Sequence, residues 1–305
     1  MSQTHDLLII GTGITGMSAA RQALQGGLST AVMEAMFFGG LVTNVNELDG
    51  EIEGSGSEVA AELMMEVSKR GATNIAATAA AIERDEDALI VRSDAGSHRA
   101  RAVIVASGAR LKRLGVPGES EFEGRGVSRC ADCDGPFYKD QDVVVVGGGD
   151  SALQEALVLA EFARTVHLVH RGEKFTARQH FVDRITGHAR VSIRWRTRVE
   201  AIQGESSVQS VRVRGSADEL AGEIPCSGFF AYVGLEPASE FAPDAIERDI
   251  GGFLLTDAAL ETAMTRVFAA GAVRSGYGGL LTHAIAEGVE AAKSVTKKLR
   301  RGQVL

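Results

Sequence analysis

Cysteine, long apolar runs and excess positive charge are all scarce in this chain of 305 residues. Three cysteines are too few for a disulfide scaffold. No apolar run reaches the roughly 20 residues of a membrane-spanning helix, so a helical membrane protein is excluded. A net charge of -8 without a basic stripe argues against nucleic acid and anionic membrane surfaces as partners. The opening MSQTHDLLII enters an apolar strand with no basic leader, no signal-type apolar region and no transit-like stretch, so the expected compartment is the cytoplasm. The length exceeds what one core usually serves, and two compact units are the default expectation.

Glycine, by contrast, is plentiful: 36 of 305 residues, against a usual ~7%. That usage suits tight turns pressed against ligands. The first such turn is Gly11-Thr12-Gly13-Ile14-Thr15-Gly16, placed between a strand-like DLLII and a helix-like segment running from Met17 to Gly26. The next apolar run, Thr30 to Met33, ends at Glu34. Helical periodicity returns from Glu58 to Arg70, and Arg101 to Ala106 reads as a strand leading into Ser107-Gly108-Ala109. Between Arg110 and Gly126 the composition shifts to proline, glycine and charge, as a crossing linker would.

The plan then repeats. Asp142 to Val146 is a β-branched run, Gly147-Gly148-Gly149 turns it, Ser151 to Arg164 is helical and Thr165 to His170 is the next strand. Residues 191 to 233 alternate like a strand-rich meander, and AAGAVRSGYGG precedes a last amphipathic helix from about Leu281 to Leu299. The last 60 residues fit neither repeat and are expected to return to the first domain.

Each glycine in the first turn has a distinct use. Gly11 permits the sharp turn, Gly13 lets backbone approach a pyrophosphate, and Gly16 lets helix and strand pack closely. Glu34, 18 residues after Gly16, stands where a carboxylate accepts hydrogen bonds from both ribose hydroxyls. In the second turn Gly147 and Gly149 are followed by Ala152 in place of the third glycine. Its second strand ends in His170-Arg171 and not in an acid. Arg171 can pair with a 2′-phosphate, which favours NADP, or it is a solvated arginine. Two dinucleotide turns in one chain point to hydride passage from nicotinamide to flavin.

Cys130 and Cys133 stand at CxxC spacing, followed by Asp134. A structural zinc site wants four ligands, usually as two pairs. Here Cys226 is alone, 93 residues beyond Cys133, and no histidine sits near at ligand spacing, so the pair reads as redox-active. Asp134 is placed to supply or remove the proton that thiol-disulfide exchange requires, or to cap the following turn. Cys226 reads as an inert packed thiol.

With these residues in hand, the chain resembles the low-molecular-weight thioredoxin reductases among the flavoprotein disulfide reductases. The match is densest over GRGVSRCADCDGPFYKDQDVVVVGGGDSALQEALVLAEFARTVHLVHR. The resemblance implies an α/β fold of two Rossmann-like, three-layer ββα nucleotide-binding domains. The FAD domain would be discontinuous, over 1–113 and 240–305, with an NAD(P)H domain inserted over 114–239. It implies a homodimer, an inserted domain that rotates, and a thioredoxin-like protein or a small disulfide as substrate. Cys133 would lie against the flavin, Cys130 would attack the partner disulfide, and Asp134 would serve as acid and base. Gly39, Gly40, Ala106, Gly108, Gly271, Ala272 and His283 would join Gly11, Gly13, Gly16 and Glu34 around FAD. Asp150, Ser151, His170 and Arg171 would join Gly147 and Gly149 around the nicotinamide nucleotide.

The departures bear on both cofactors. Family members that use NADPH show HRR and then FRA, whereas here Gly172 and Thr176 replace two arginines. Each lost charge-assisted contact is worth about 1.5–3 kcal/mol, so NADH or another donor becomes credible, unless Lys174 or Arg178 compensates. The family's AAGD is Ala269-Ala270-Gly271-Ala272, its RQ pair is lost around Gly278, Gly279 and Leu280, and Leu41 replaces a glutamine. The loop to Gly50 is also shorter than usual. His283, opening the last helix, either tunes the flavin or faces solvent.

Overall fold

The structure, a computed structural model, describes residues 4–35, 38–45, 48, 52, 54–215 and 222–301. Part of the loop that ends at Gly50 lies outside them. Along the chain, β1 (Thr4–Ile10), α1 (Ile14–Gln25) and β2 (Thr30–Glu34) form the first βαβ unit, with β1 and β2 parallel. Leu7 to Ile10 are buried on both faces, which is what a parallel strand covered from two sides requires. Helix α2 (Gly56–Lys69) opens on a capping box: Glu58 N donates to Ser55 Oγ at 3.2 Å, and Ser55 N donates to the Glu58 carboxylate at 2.8 Å. Then follow β3 (Thr73–Ala76), β4 (Ala79–Asp85), β5 (Ala88–Ser93) and β6 (Gly96–Val105). The sheet order is β3-β2-β1-β6-β5-β4, in which β4 and β5 are an antiparallel excursion that sequence periodicity did not reveal.

After β7 (Ala109–Leu111) and β8 (Val127–Ser128) come the short α3 (Ala131–Asp134), β9 (Asp142–Gly147), α4 (Asp150–Phe162), β10 (Thr165–Val169) and α5 (Gln179–Ile185). They are followed by β11 (Val191–Arg194), β12 (Thr197–Gly204), β13 (Val208–Gly215), β14 (Gly222–Pro225) and β15 (Gly228–Tyr232). The stretch expected to be one meander divides. β11 and β15 join a parallel sheet ordered β11-β10-β9-β15-β8, and only β12, β13 and β14 form an antiparallel meander. Burial explains the division. Phe229 and Phe230 on β15 are both wholly buried, so that strand is covered on two faces, whereas β12 and β13 alternate buried and exposed residues and have one wet face.

The chain then returns through β16 (Leu235–Pro237) and β17 (Val267–Ala269) to α6 (Leu281–Arg301). β17 pairs in parallel with the C-terminal half of β6, and α6 packs on α1. A Cβ on Gly288 of α6 would stand 3.1 Å from both Ala19 N and Ser18 Cβ, so the two helices meet backbone to backbone there. Contacts divide the chain into Met1–Arg110 with Glu236–Leu305, and Leu111–Leu235. Each unit is a three-layer ββα stack. In the first, helices cover one face of the sheet around Met17 and Val295, and the antiparallel strands cover the other around Ile82, Leu89 and Val91. In the second, Leu153 and Leu159 pack on one face, and Val199, Val211 and Val213 of the meander pack on the other. No helix among the described residues is long and apolar enough to cross a membrane.

Candidate functional site

In the first unit the glycine turn is walled by backbone. A Cβ on Gly11, whose φ is +103°, would overlap the Ala106 carbonyl and stand 2.9 Å from Ser107 Cα. A Cβ on Gly16 would overlap the Gly11 carbonyl oxygen and stand 3.0 Å from its carbon. Gly39 N donates to Thr12 O at 2.8 Å, and the Gly39-Gly40 segment runs beside Gly13 as an isolated parallel bridge. At Gly13 itself the nearest protein atom to a Cβ would be Gly39 O at 3.7 Å. Its missing side chain therefore leaves room that the protein does not fill.

Glu34 is oriented at the end of β2. Thr12 N and Thr12 Oγ1 donate to its Oε2 at 3.2 and 3.3 Å, and Ala35 N donates to Oε1 at 2.9 Å. No side chain caps the N-terminus of α1, and no acid stands in its first turn. A helix start of this kind favours a phosphate. The backbone-walled turn, the open space at Gly13, the bare helix start and the held carboxylate fit the pyrophosphate and ribose of FAD.

The return segment closes on the same turn. A Cβ on Gly271 would overlap the Thr15 hydroxyl, and Gly271 N donates to Glu287 Oε2 at 2.7 Å. Glu287 also pairs with Arg274 at 2.6 and 3.1 Å, with both side chains mostly buried. Ala272 supplies no carboxylate, so Glu287 is the acid that the structure sets beside Gly271, and the family motif gave no signal for it. Gly108 has φ +69° just beyond β6. His283 is exposed, against Gly278 at the start of α6.

Side chains fold onto the turn of the second unit. His170 lies across Gly148, its Nδ1 3.1 Å from Gly147 O and its Nε2 2.9 Å from Lys174 O. Phe175 and Trp195 pack beside its ring. Thr176 N and Oγ1 donate to Gly148 O at 2.8 and 3.2 Å. Asp150, in the first turn of α4, accepts from Arg178 N at 2.7 Å and Nε at 2.5 Å. Arg178, one of the two residues named above as able to compensate for the missing phosphate contacts, is held by Asp150. Arg171, Lys174 and Ser151 are exposed.

Cys130 and Cys133 are joined in a disulfide, with Cα atoms 5.3 Å apart. Cys130 is the N-cap of α3, and its Sγ accepts from Cys133 N at 3.1 Å. Cys133 is the exposed member and Cys130 the half-buried one. Asp134 makes no capping hydrogen bond with its side chain. Its amide donates to Cys130 O at 3.1 Å. Phe137, three residues beyond Asp134, is 75% exposed. Cys226 is free and buried, and burial pushes its thiol up to about 12.

Sequence reasoning missed Glu155. This acid on α4 is 8% exposed, and its Oε2 accepts from Ala131 N and from the Tyr232 hydroxyl, each at 3.1 Å. Burial pushes its carboxyl up to about 7. The signal was available: Glu155 falls between Ala152 and Leu159 on the face of α4 that is otherwise apolar and buried.

The profile of the pyridine nucleotide-disulphide oxidoreductases matches residues 5–288. A thioredoxin reductase of Treponema pallidum is 34% identical over 279 residues, covering 90% of this chain and 91% of its own. One of Mycolicibacterium smegmatis is 36% identical over 278 residues, covering 88% and 89%. The crystal structure of Lactococcus lactis thioredoxin reductase in its FR conformation superposes with a TM-score of 0.94 at 31% identity, over 97% of this chain and 99% of that one. With two ββα units, a glycine turn in each and a CxxC disulfide on the second, the chain belongs to the pyridine nucleotide-disulphide oxidoreductase family, on its thioredoxin reductase branch.

Proposed function

We propose that the chain passes electrons from a reduced nicotinamide nucleotide to the Cys130–Cys133 disulfide and on to a protein disulfide such as that of thioredoxin. The disulfide itself carries this reading, since it already joins two cysteines at the N-terminus of one short helix. The relatives called thioredoxin reductases support the partner. In this reading the first unit holds FAD through Gly11, Gly13, Gly16, Glu34, Gly39 and Gly40. The second unit holds the nucleotide through Gly147, Gly149 and His170-Arg171. FAD, when bound, converts a hydride from the nicotinamide into electrons for the disulfide.

The protein's own residues do the remaining work. The Cys133 amide bonded to Cys130 Sγ favours a thiolate on Cys130, the attacking form in disulfide exchange. Attack on the partner forms a mixed disulfide, and Cys133 resolves it by restoring the Cys130–Cys133 bond and releasing the partner as a dithiol. Asp134, with no capping bond to hold its side chain, moves the proton between sulfur and water.

NADH is accepted at least as well as NADPH. Support comes from Gly172, from Thr176 turned onto Gly148 O, and from Arg178 held by Asp150, while Arg171 and Lys174 are among the exposed cations near His170. A homodimer in the cytoplasm completes the reading, checked by light scattering and cell fractionation. Anaerobic titration with NADH and then NADPH tests the function. Bound flavin should bleach fully with about two equivalents of either nucleotide, one for the Cys130–Cys133 disulfide and one for the flavin, and oxidised thioredoxin should recolour it. Flavin that no nicotinamide nucleotide bleaches would overturn it.

A further inference from the structure

The electron path just described gives no task to Glu155, a buried acid of α4. Glu155 Oε2 accepts from the Ala131 amide at 3.1 Å, and Ala131 is the residue directly after Cys130 and the first of α3. The same oxygen accepts from the Tyr232 hydroxyl at 3.1 Å. One carboxylate therefore ties the turn that carries both cysteines to the inner strand β15 and to α4.

We propose that Glu155 is a proton-coupled positioning residue of the redox pair: it holds the Ala131 amide, and it binds a proton when the Cys130–Cys133 bond opens. This rests on the reading of that pair as redox-active.

The chemistry balances. Two electrons break the sulfur–sulfur bond, and a neutral dithiol would need two protons, one arriving with the hydride and one from water. One sulfur takes a proton. The other stays a thiolate, favoured by the Cys133 amide, and the second proton rests on Glu155. The new negative charge on sulfur is thus cancelled by one removed from the carboxylate, and the buried region keeps its net charge.

The surroundings suit this exchange near neutral pH. Burial is the largest influence and pushes the Glu155 carboxyl up to about 7, the nearby Asp132 carboxylate adds to that push, and the Ala131 and Tyr232 bonds oppose it. The groups facing Glu155 are thus Asp132 from α3 and Tyr232 from β15. Strands β9 and β10 and helix α5 contribute Val143, Leu168 and Phe181 to the core around α4. Burial and the Glu155 carboxylate raise the Tyr232 hydroxyl, which remains a donor.

Equilibration of the whole protein with dithiothreitol redox buffers, with the opened pair counted by alkylation, tests the proposal without nucleotide or partner. The wild-type constant for reduction by dithiothreitol should rise about tenfold, or about 30 mV, per pH unit below a bend near 7 and level off above it, where the opening pair takes up the two protons that dithiothreitol releases. Glu155→Gln should lose the bend. Tyr232→Phe, which removes a donor to the carboxylate, should move it to higher pH, and Asp132→Asn should move it lower. These two variants keep the acid and carry the test if Glu155→Gln fails to fold. Identical pH profiles in wild type and Glu155→Gln, or a bend that neither neighbour moves, would overturn the proposal. A bend that persists while thioredoxin is not reduced would overturn only the partner assigned above. A disulfide that dithiothreitol cannot open would overturn both.

Discussion

The two glycine turns share a topology and differ in what lies on them. The first is walled by backbone: Ala106 O against Gly11, Gly11 O against Gly16, and the Gly39 amide on Thr12 O, beside a helix start that carries no acid. The second is padded by side chains: His170 over Gly148, Thr176 on Gly148 O, and the Asp150–Arg178 pair at the start of α4. Backbone walls are rigid and preformed, which suits a nucleotide that stays. Side-chain padding yields by rotamer changes, which suits one that must leave each turnover. A retained cofactor and an exchanged co-substrate make those two demands.

The contrast can be broken most sharply at the sulfur pair of the second unit. Cys133→Ser should lower nucleotide-dependent disulfide reduction by at least ~10³-fold while the first unit keeps its flavin, read by steady-state assay and absorbance. Backbone walling is tested next. Gly16→Ala drives a Cβ into the Gly11 carbonyl and should cost about 3 kcal/mol or more with loss of flavin. Gly13→Ala meets no protein atom nearer than 3.7 Å, so it should leave the apoprotein melting temperature almost unchanged while weakening flavin binding about tenfold or more. Equal thermal losses in both variants would erase the distinction between a wall and an opening.

The third test concerns charge buried in the second unit. Glu155 has its carboxyl raised from 4.5 to about 7, so the folded state binds the extra proton. The stability gained from that proton is fully present below about pH 4.5 and is lost as pH climbs through about 7. Glu155→Gln should therefore gain up to about 3 kcal/mol over wild type at about pH 8, shrinking toward acid, as measured by urea melts. Arg171→Ala should lower kcat/KM for NADPH by about tenfold and leave NADH unchanged. Smallest of all, Arg178→Ala breaks an exposed pair and should cost under about 1 kcal/mol of stability.

The sequence displayed what obeys short-range rules. Both glycine turns, Glu34 at the end of β2 and the CxxC pair are patterns in consecutive residues, and the strands and helices around the turns fall within a few residues of their periodic signals. Three features escaped because they depend on partners distant in the chain. Glu155 meets Tyr232 across 77 residues, and a helical wheel shows only an acid on an apolar face. Glu287 takes the Gly271 amide although the motif expects its acid at 272. The split of residues 191 to 233 follows from which strand is covered on two faces, and strand propensity alone cannot distinguish a central strand from an edge strand.

The return of the last segment to the first unit has a consequence for biosynthesis. The second unit, Leu111–Leu235, leaves the ribosome as one uninterrupted stretch and can condense as soon as it is made. The first unit must wait for β17 and for α6, whose Ala291, Val295 and Leu299 complete its helical core. At about 5–20 residues per second, the apolar face of α1 stays unshielded for several seconds or more while the insert is translated. Flavin loading should thereby wait until α6 has been made, and truncation of α6 should give chains that aggregate and emerge colourless.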